Sequence, residues 1–170
     1  MAAEARLRNE RSNWRKDHPP GFVAKPQMKA DGTTDLFKWD IKVPAKAKSI
    51  WYPALLSGTM SFTADYPQKP PKVHFAMIDG KPIFHPNVYT DGGVCLSIIN
   101  PEGSSHGYGK GGTWEATMNI KIVVLALQNF LDEATGLAAG RSEEHRLWKD
   151  NPKEFERRVK LQVAKAESQA

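Results

Sequence analysis

Cysteine is the scarcest residue in this chain of 170: there is one, Cys95. A single thiol cannot close an internal disulfide, nor supply a four-cysteine or cysteine-pair metal site. The five histidines, at 18, 74, 85, 106 and 145, show no i,i+4 pair and no His-Glu-x-x-His helix, so no metal is expected. No Asn-x-Ser/Thr acceptor occurs. The longest apolar run, Ile122-Val123-Val124-Leu125-Ala126-Leu127, is far too short to span a bilayer, so no membrane partner is expected. Met1-Ala2-Ala3-Glu4-Ala5-Arg6 leads into charge rather than an apolar stretch, so no secretory leader is expected either. With its one cysteine, the chain reads as a protein of the nucleus and cytoplasm. No helix-turn-helix, zinc-finger or aromatic ribonucleoprotein pattern is present, and direct nucleic-acid binding is not expected.

What is present fits one domain, residues 1–170. Apolar residues make up 40% and charged residues 25%, enough for a core without staples. Lysine and arginine number 24 against 19 acids, a net charge of +5. That excess is either a solvated basic surface or a face for an acidic partner. Residues 3–17 read as a helix with Ala3, Leu7 and Trp14 on one face, stopped by His18-Pro19-Pro20-Gly21. Phe22 to Met28 reads as a strand near an edge, because Pro26 cannot donate to a ladder. Asp31-Gly32 signals a hairpin. Phe37, Trp39, Ile41 and Val43 alternate along a second strand, and Leu56, Gly58, Met60 and Phe62 along a third. Val73 to Met77 makes a fourth, and short links between successive strands imply an antiparallel meander.

From 78 to 117 no period persists, yet Ile83, Phe84, Val88, Val94, Leu96, Ile98 and Ile99 need burial, so the front of this long loop is expected to be ordered. Residues 100–112 are glycine-rich and read as a mobile insert. Within them Gly107-Tyr108-Gly109-Lys110-Gly111-Gly112 matches G-x-G-x-x-G by letter, but no buried strand feeds it and no helix opens from it. Helices close the chain. Ile120, Val123, Val124, Leu127 and Leu131 form a stripe at helical spacing; Glu143 to Lys149 makes a shorter helix; Asn151-Pro152 caps a last one through about Lys165. The class is α+β: an N-terminal helix, a four-stranded antiparallel meander, a long active-site loop, then a long helix on the sheet and C-terminal helices.

Cys95 lies eight positions after His85-Pro86-Asn87. His85 can hold a turn through its ring nitrogens or serve as a base. Asn87 can close an Asx turn, donate its amide to an oxyanion at an acyl carbon, or both. Hydrolysis would need a base and a route for water, and the local residues Tyr89, Thr90, Asp91 and Ser97 match no cysteine-protease signature. A thiol with an oxyanion donor and no dedicated base suits acyl transfer through a thioester better, because a strong base would activate water against it.

These residues resemble the ubiquitin-conjugating enzymes over nearly the whole chain. The shared pattern is Tyr66-Pro67 with Pro70-Pro71, then His85-Pro86-Asn87, then Gly93-Val94-Cys95-Leu96, then Trp114 before the long helix. Trp14-Arg15-Lys16-Asp17-His18-Pro19 with Gly21-Phe22-Val23-Ala24, together with Val88-Tyr89 and Ser97-Ile98, is similar to the SUMO-conjugating branch. The resemblance implies a transferase without cofactor. Cys95 would take a SUMO-type modifier from its activating enzyme and pass it to lysines of protein substrates, with ligases as further partners. It implies that Asn87 and Tyr89 assist at Cys95, that His85 and Pro86 build the loop, and that Arg11, Arg15 and His18 hold modifier non-covalently. Lys72, His74 and Ser97 would contact substrate, the first two where the family reads acidic residues near the target lysine. Conjugation of ubiquitin or another modifier, or a catalytically silent modifier-binding module, are the alternatives.

Two departures stand out. The family's acid that lines the lysine channel falls at Ala138 here, and no acid occurs between Glu133 and Glu143. Free lysine has a pKa of about 10.4, so unassisted transfer is expected to be slow. The insert at 100–112 is also longer than the family pattern and reads as a spacer, the alternative being a segment that tunes partner choice beside the active site.

Overall fold

The computed structural model describes residues 2–100, 112–135 and 138–168. All but the ends of the glycine-rich insert therefore lies outside the described residues. Helix α1, Ala2–Lys16, buries Ala3, Leu7, Glu10 and Trp14, one stripe at three- and four-residue spacing. Strands β1 (Val23–Met28), β2 (Thr34–Pro44), β3 (Leu55–Ser61) and β4 (Lys72–Phe75) form one antiparallel sheet in the order β1-β2-β3-β4. The meander is thus as the alternating residues imply. Pro26 lies in edge strand β1, and the register shifts between Pro26 and Gln27, where the missing N–H would otherwise interrupt the ladder.

The register pairs Trp39 with Met60 and Ile41 with Gly58, so the apolar faces of β2 and β3 coincide. Helix α2, Ile120–Phe130, lays Ile120, Val123, Val124, Leu127 and Phe130 into that core. Its first turn is capped by Asn119 Oδ1, which accepts the Ile122 N–H at 3.0 Å. Each apolar side chain buried this way contributes about 1.5–3 kcal/mol relative to exposure. Helices α3 (Ser142–Asp150) and α4 (Pro152–Ser168) follow, with Asn151 Oδ1 accepting the Glu154 N–H at 3.3 Å and Pro152 in the first turn of α4. Strand β4 stops at Phe75 rather than running to Met77. The chain there enters a two-residue turn, with Asp79 at φ 52° and Gly80 at φ 71°, between mutually bonded Ile78 and Lys81. No helix among the described residues is long and apolar enough to cross a membrane.

Candidate active site

The segment carrying Cys95 is pinned to the sheet at β4. Val94 N–H donates to Val73 O at 3.0 Å, and Phe75 N–H to Gly92 O at 2.9 Å. The segment also folds on itself: Tyr89 N–H donates to Gly93 O at 2.8 Å, and Cys95 N–H to Asn87 O at 2.9 Å. Gly92 is required here. Its φ is 89°, and a Cβ would stand 2.4 Å from Phe75 O, inside any tolerable contact. Cys95 is therefore held by backbone on both sides and is 8% exposed. Ile83, Val88, Val94 and Ile99 are buried, so the front of the long loop is ordered as their apolar character requires.

His85 is fully buried. Its Nε2 donates to Phe130 O at 2.8 Å, and its Nδ1 accepts the Asn87 N–H at 3.0 Å. The ring stacks on Phe130 with centroids 4.2 Å apart. Burial holds its pKa down at about 4, against an ordinary 6.5. Both nitrogens are engaged and the ring is neutral, so His85 is architecture and not a base for Cys95. It ties the end of α2 to the loop that holds the thiol.

Asn87 is 1% exposed, and its Oδ1 accepts the Thr135 N–H at 3.1 Å. That bond closes the loop after α2 and engages the side-chain carbonyl. Ala138 N–H donates to Pro86 O at 2.8 Å, and the alanine is 1% exposed. The residue where an acid was expected is thus a packed wall under Pro86. Burial raises the Tyr89 pKa, and so do the Cys95 side chain and the Asp91 carboxylate beside it.

Beside this lies Asp91, in the sequence only a neighbour of Cys95, together with Lys72 and His74, which the resemblance implies contact substrate. Asp91 Oδ1 accepts the Gly93 N–H at 2.8 Å, and its Oδ2 lies 3.6 Å from His74 Nε2. Lys72 is on the same outward face of β4, two residues from His74. Ser97 opens a short 3₁₀ turn, Ser97–Ile99, exposed, with its carbonyl accepting the Thr113 N–H at 2.9 Å. Arg11, Arg15 and His18 are not part of this site. Arg11 and Arg15 line a cleft of about 560 Å³ between α1 and β1, and His18 stacks on Trp14 at 5.2 Å. Among the described residues no group of three or more ligating side chains could hold a metal.

A thiol locked at the edge of a sheet, with a tyrosine hydroxyl and an amide beside it and its neighbouring histidine spent on structure, defines an acyl carrier rather than a hydrolase. The chain belongs to the ubiquitin-conjugating enzyme family, whose model matches residues 6–163. It is 39% identical over 160 residues to a SUMO-conjugating enzyme of Dictyostelium discoideum, covering 94% of this chain and 92% of that protein. To a SUMO-conjugating enzyme of Arabidopsis thaliana it is 40% identical over the same coverage. To one of Caenorhabditis elegans it is 37% identical over 163 residues, covering 96% and 90%.

Proposed function

We propose that the chain is a SUMO-conjugating transferase working through a thioester on Cys95. The Cys95 thiolate attacks the thioester carbonyl that joins the modifier's C-terminus to its activating enzyme. A new C–S bond forms as the old one breaks, and the activating enzyme's thiol leaves. The neutral amine of a substrate lysine then attacks the same carbonyl; a C–N bond forms, the C–S bond breaks, Cys95 regains its thiol and the amine loses a proton. The Asn87 amide donates to the oxyanion that each attack creates, and Tyr89 shapes the lysine's approach. His85 and Pro86 hold these groups in place, and ligases supply further positioning.

The observation that carries the reading is the state of His85. A neutral ring bonded at both nitrogens cannot activate water beside Cys95, which favours a long-lived thioester over hydrolysis. Relatives named as SUMO-conjugating enzymes over nearly the full length support the modifier's identity. The test is incubation with activating enzyme, ATP and either a SUMO-type modifier or ubiquitin. A reductant-sensitive adduct should form with the first, disappear in Cys95→Ala, and become reductant-resistant as an oxyester in Cys95→Ser. No adduct with either modifier would overturn the reading.

A further inference from the structure

We infer that Asp91 sets the charge preference of the acceptor site, removing selection for an acidic residue beside the target lysine. The inference rests on the transferase reading above and concerns which lysines are used. Lys72 would by itself offer positive charge on this face of β4. The structure puts a carboxylate of the chain's own there. Asp91 is held in place by the Gly93 N–H at 2.8 Å and faces His74 Nε2 at 3.6 Å.

Gly93 makes the convergence possible. A Cβ on it would lie 2.9 Å from Asp91 Oδ1, 3.4 Å from His74 Nε2 and 3.5 Å from the Tyr89 ring. Three side chains therefore meet over a backbone with nothing of its own between them, two residues before Cys95. The same Gly93 position thus has the Asp91 carboxylate on one side and the Tyr89 ring on the other. The β3 residues paired with this face, Thr59 opposite His74 and Ser61 opposite Lys72, carry no charge.

A substrate carboxylate approaching His74 thus meets Asp91 already there. Like charges this close in a solvated site change a rate by up to about fivefold. The acceptor class that fits is a lysine flanked by neutral or basic residues. Asp91→Asn and Asp91→Ser keep an acceptor for the Gly93 N–H and remove the charge.

The test is single-turnover discharge of pre-charged enzyme to two peptides, one with glutamate two positions to either side of the lysine and one with glutamine there. Rates are counted per charged enzyme, so that any effect of the variants on charging drops out of the ratio. Both variants should raise the glutamate-to-glutamine rate ratio by about threefold to fivefold, chiefly by speeding the glutamate peptide. Slowing of both peptides with the ratio unchanged is the mark of a purely structural role and overturns the inference. A ratio that stays within about 1.5-fold of the parent, or falls, overturns it as well. Failure of the parent to charge would instead overturn the transferase reading.

Discussion

His85 shows how much one residue can reveal once its surroundings are known. In the folded protein its pKa is held at about 4, and in the unfolded chain it returns toward 6.5. Between those values the unfolded state binds the extra proton, so stability falls as pH drops from about 6.5 toward 4 and is fully present above that window. The full contribution is about 3 kcal/mol. Glu154, held down at about 2 by hydrogen bonds from Arg157 and Arg158, acts below this window. Glu10, raised chiefly by burial, acts with the opposite sign, because its protonated form is the one folding favours. The clean quantity is therefore a difference between variants. Urea unfolding of the parent and of His85→Gln, followed from pH 7 to pH 4.5, should give a parent that loses about 2–3 kcal/mol more than the variant. The variant is expected to be less stable throughout, since it breaks the stacking on Phe130. Equal slopes would mean that His85 is not held neutral.

Between elements, the most connected group is Glu10. Its Oε2 accepts the Tyr66 hydroxyl at 2.5 Å and its Oε1 the Ile120 N–H at 3.2 Å, with the Arg6 guanidinium 3.6 Å away. Arg6 in turn donates to Ala116 O at 2.9 Å and Met118 O at 2.7 Å, and lies over the Tyr66 ring at 5.5 Å. One carboxylate thereby joins α1, the proline-rich link before β4 and the first turn of α2. Glu10→Ala strands a buried hydroxyl, an N–H and part of a cation, and should cost about 3–5 kcal/mol. Tyr66→Phe should cost about 1–3 kcal/mol. In guanidinium unfolding the double variant should cost clearly less than the sum, because both changes remove the same bond. Additive losses would show that the two side chains act separately. This cluster also marks the limit of legibility. The sheet and α2 could be read because periods of 2.0 and 3.6 are local and repeat, as with Trp39, Ile41 and Val43 or Val123, Val124 and Leu127. Glu10 sits on the α1 stripe at the right spacing from Leu7 and Trp14, but an acid among arginines reads as solvent-facing until its partners 56 and 110 residues away are in place. Cys95, Asn87 and Tyr89 could be found by motif. The clustering of Asp91 and His74 over Gly93 could not, since it depends on β4 meeting a loop.

At the scale of the whole molecule, the net charge of +5 is not spread evenly. Arg8, Arg11, Arg15, Lys16 and Lys29 line a cleft of about 840 Å³ in which Glu4 is the acid, and Glu4 is already paired with Arg8. Arg11 and Arg15 also face the neighbouring cleft along β1. This basic surface is built on α1 and the β1–β2 turn, whereas the thiol is built on β4 and the loop beyond it. We propose, as the resemblance implies, that modifier binds non-covalently at the basic surface, so that binding there and chemistry at the thiol are separable by mutation. Charges on an exposed surface act mainly through encounter rate and are weakened by salt. Replacing Arg11 and Arg15 together with glutamate reverses two charges without touching the buried face of α1, since Leu7, Glu10 and Trp14 carry that packing. Non-covalent binding of free modifier, measured by titration calorimetry with Cys95→Ala protein, should weaken by about tenfold or more at low salt. Raising the salt should weaken the parent much more than the double variant, so that the two converge. The variant's melting temperature should stay close to the parent's. Unchanged affinity at low salt would remove Arg11 and Arg15 from the modifier surface and leave the basic excess as a solvated face.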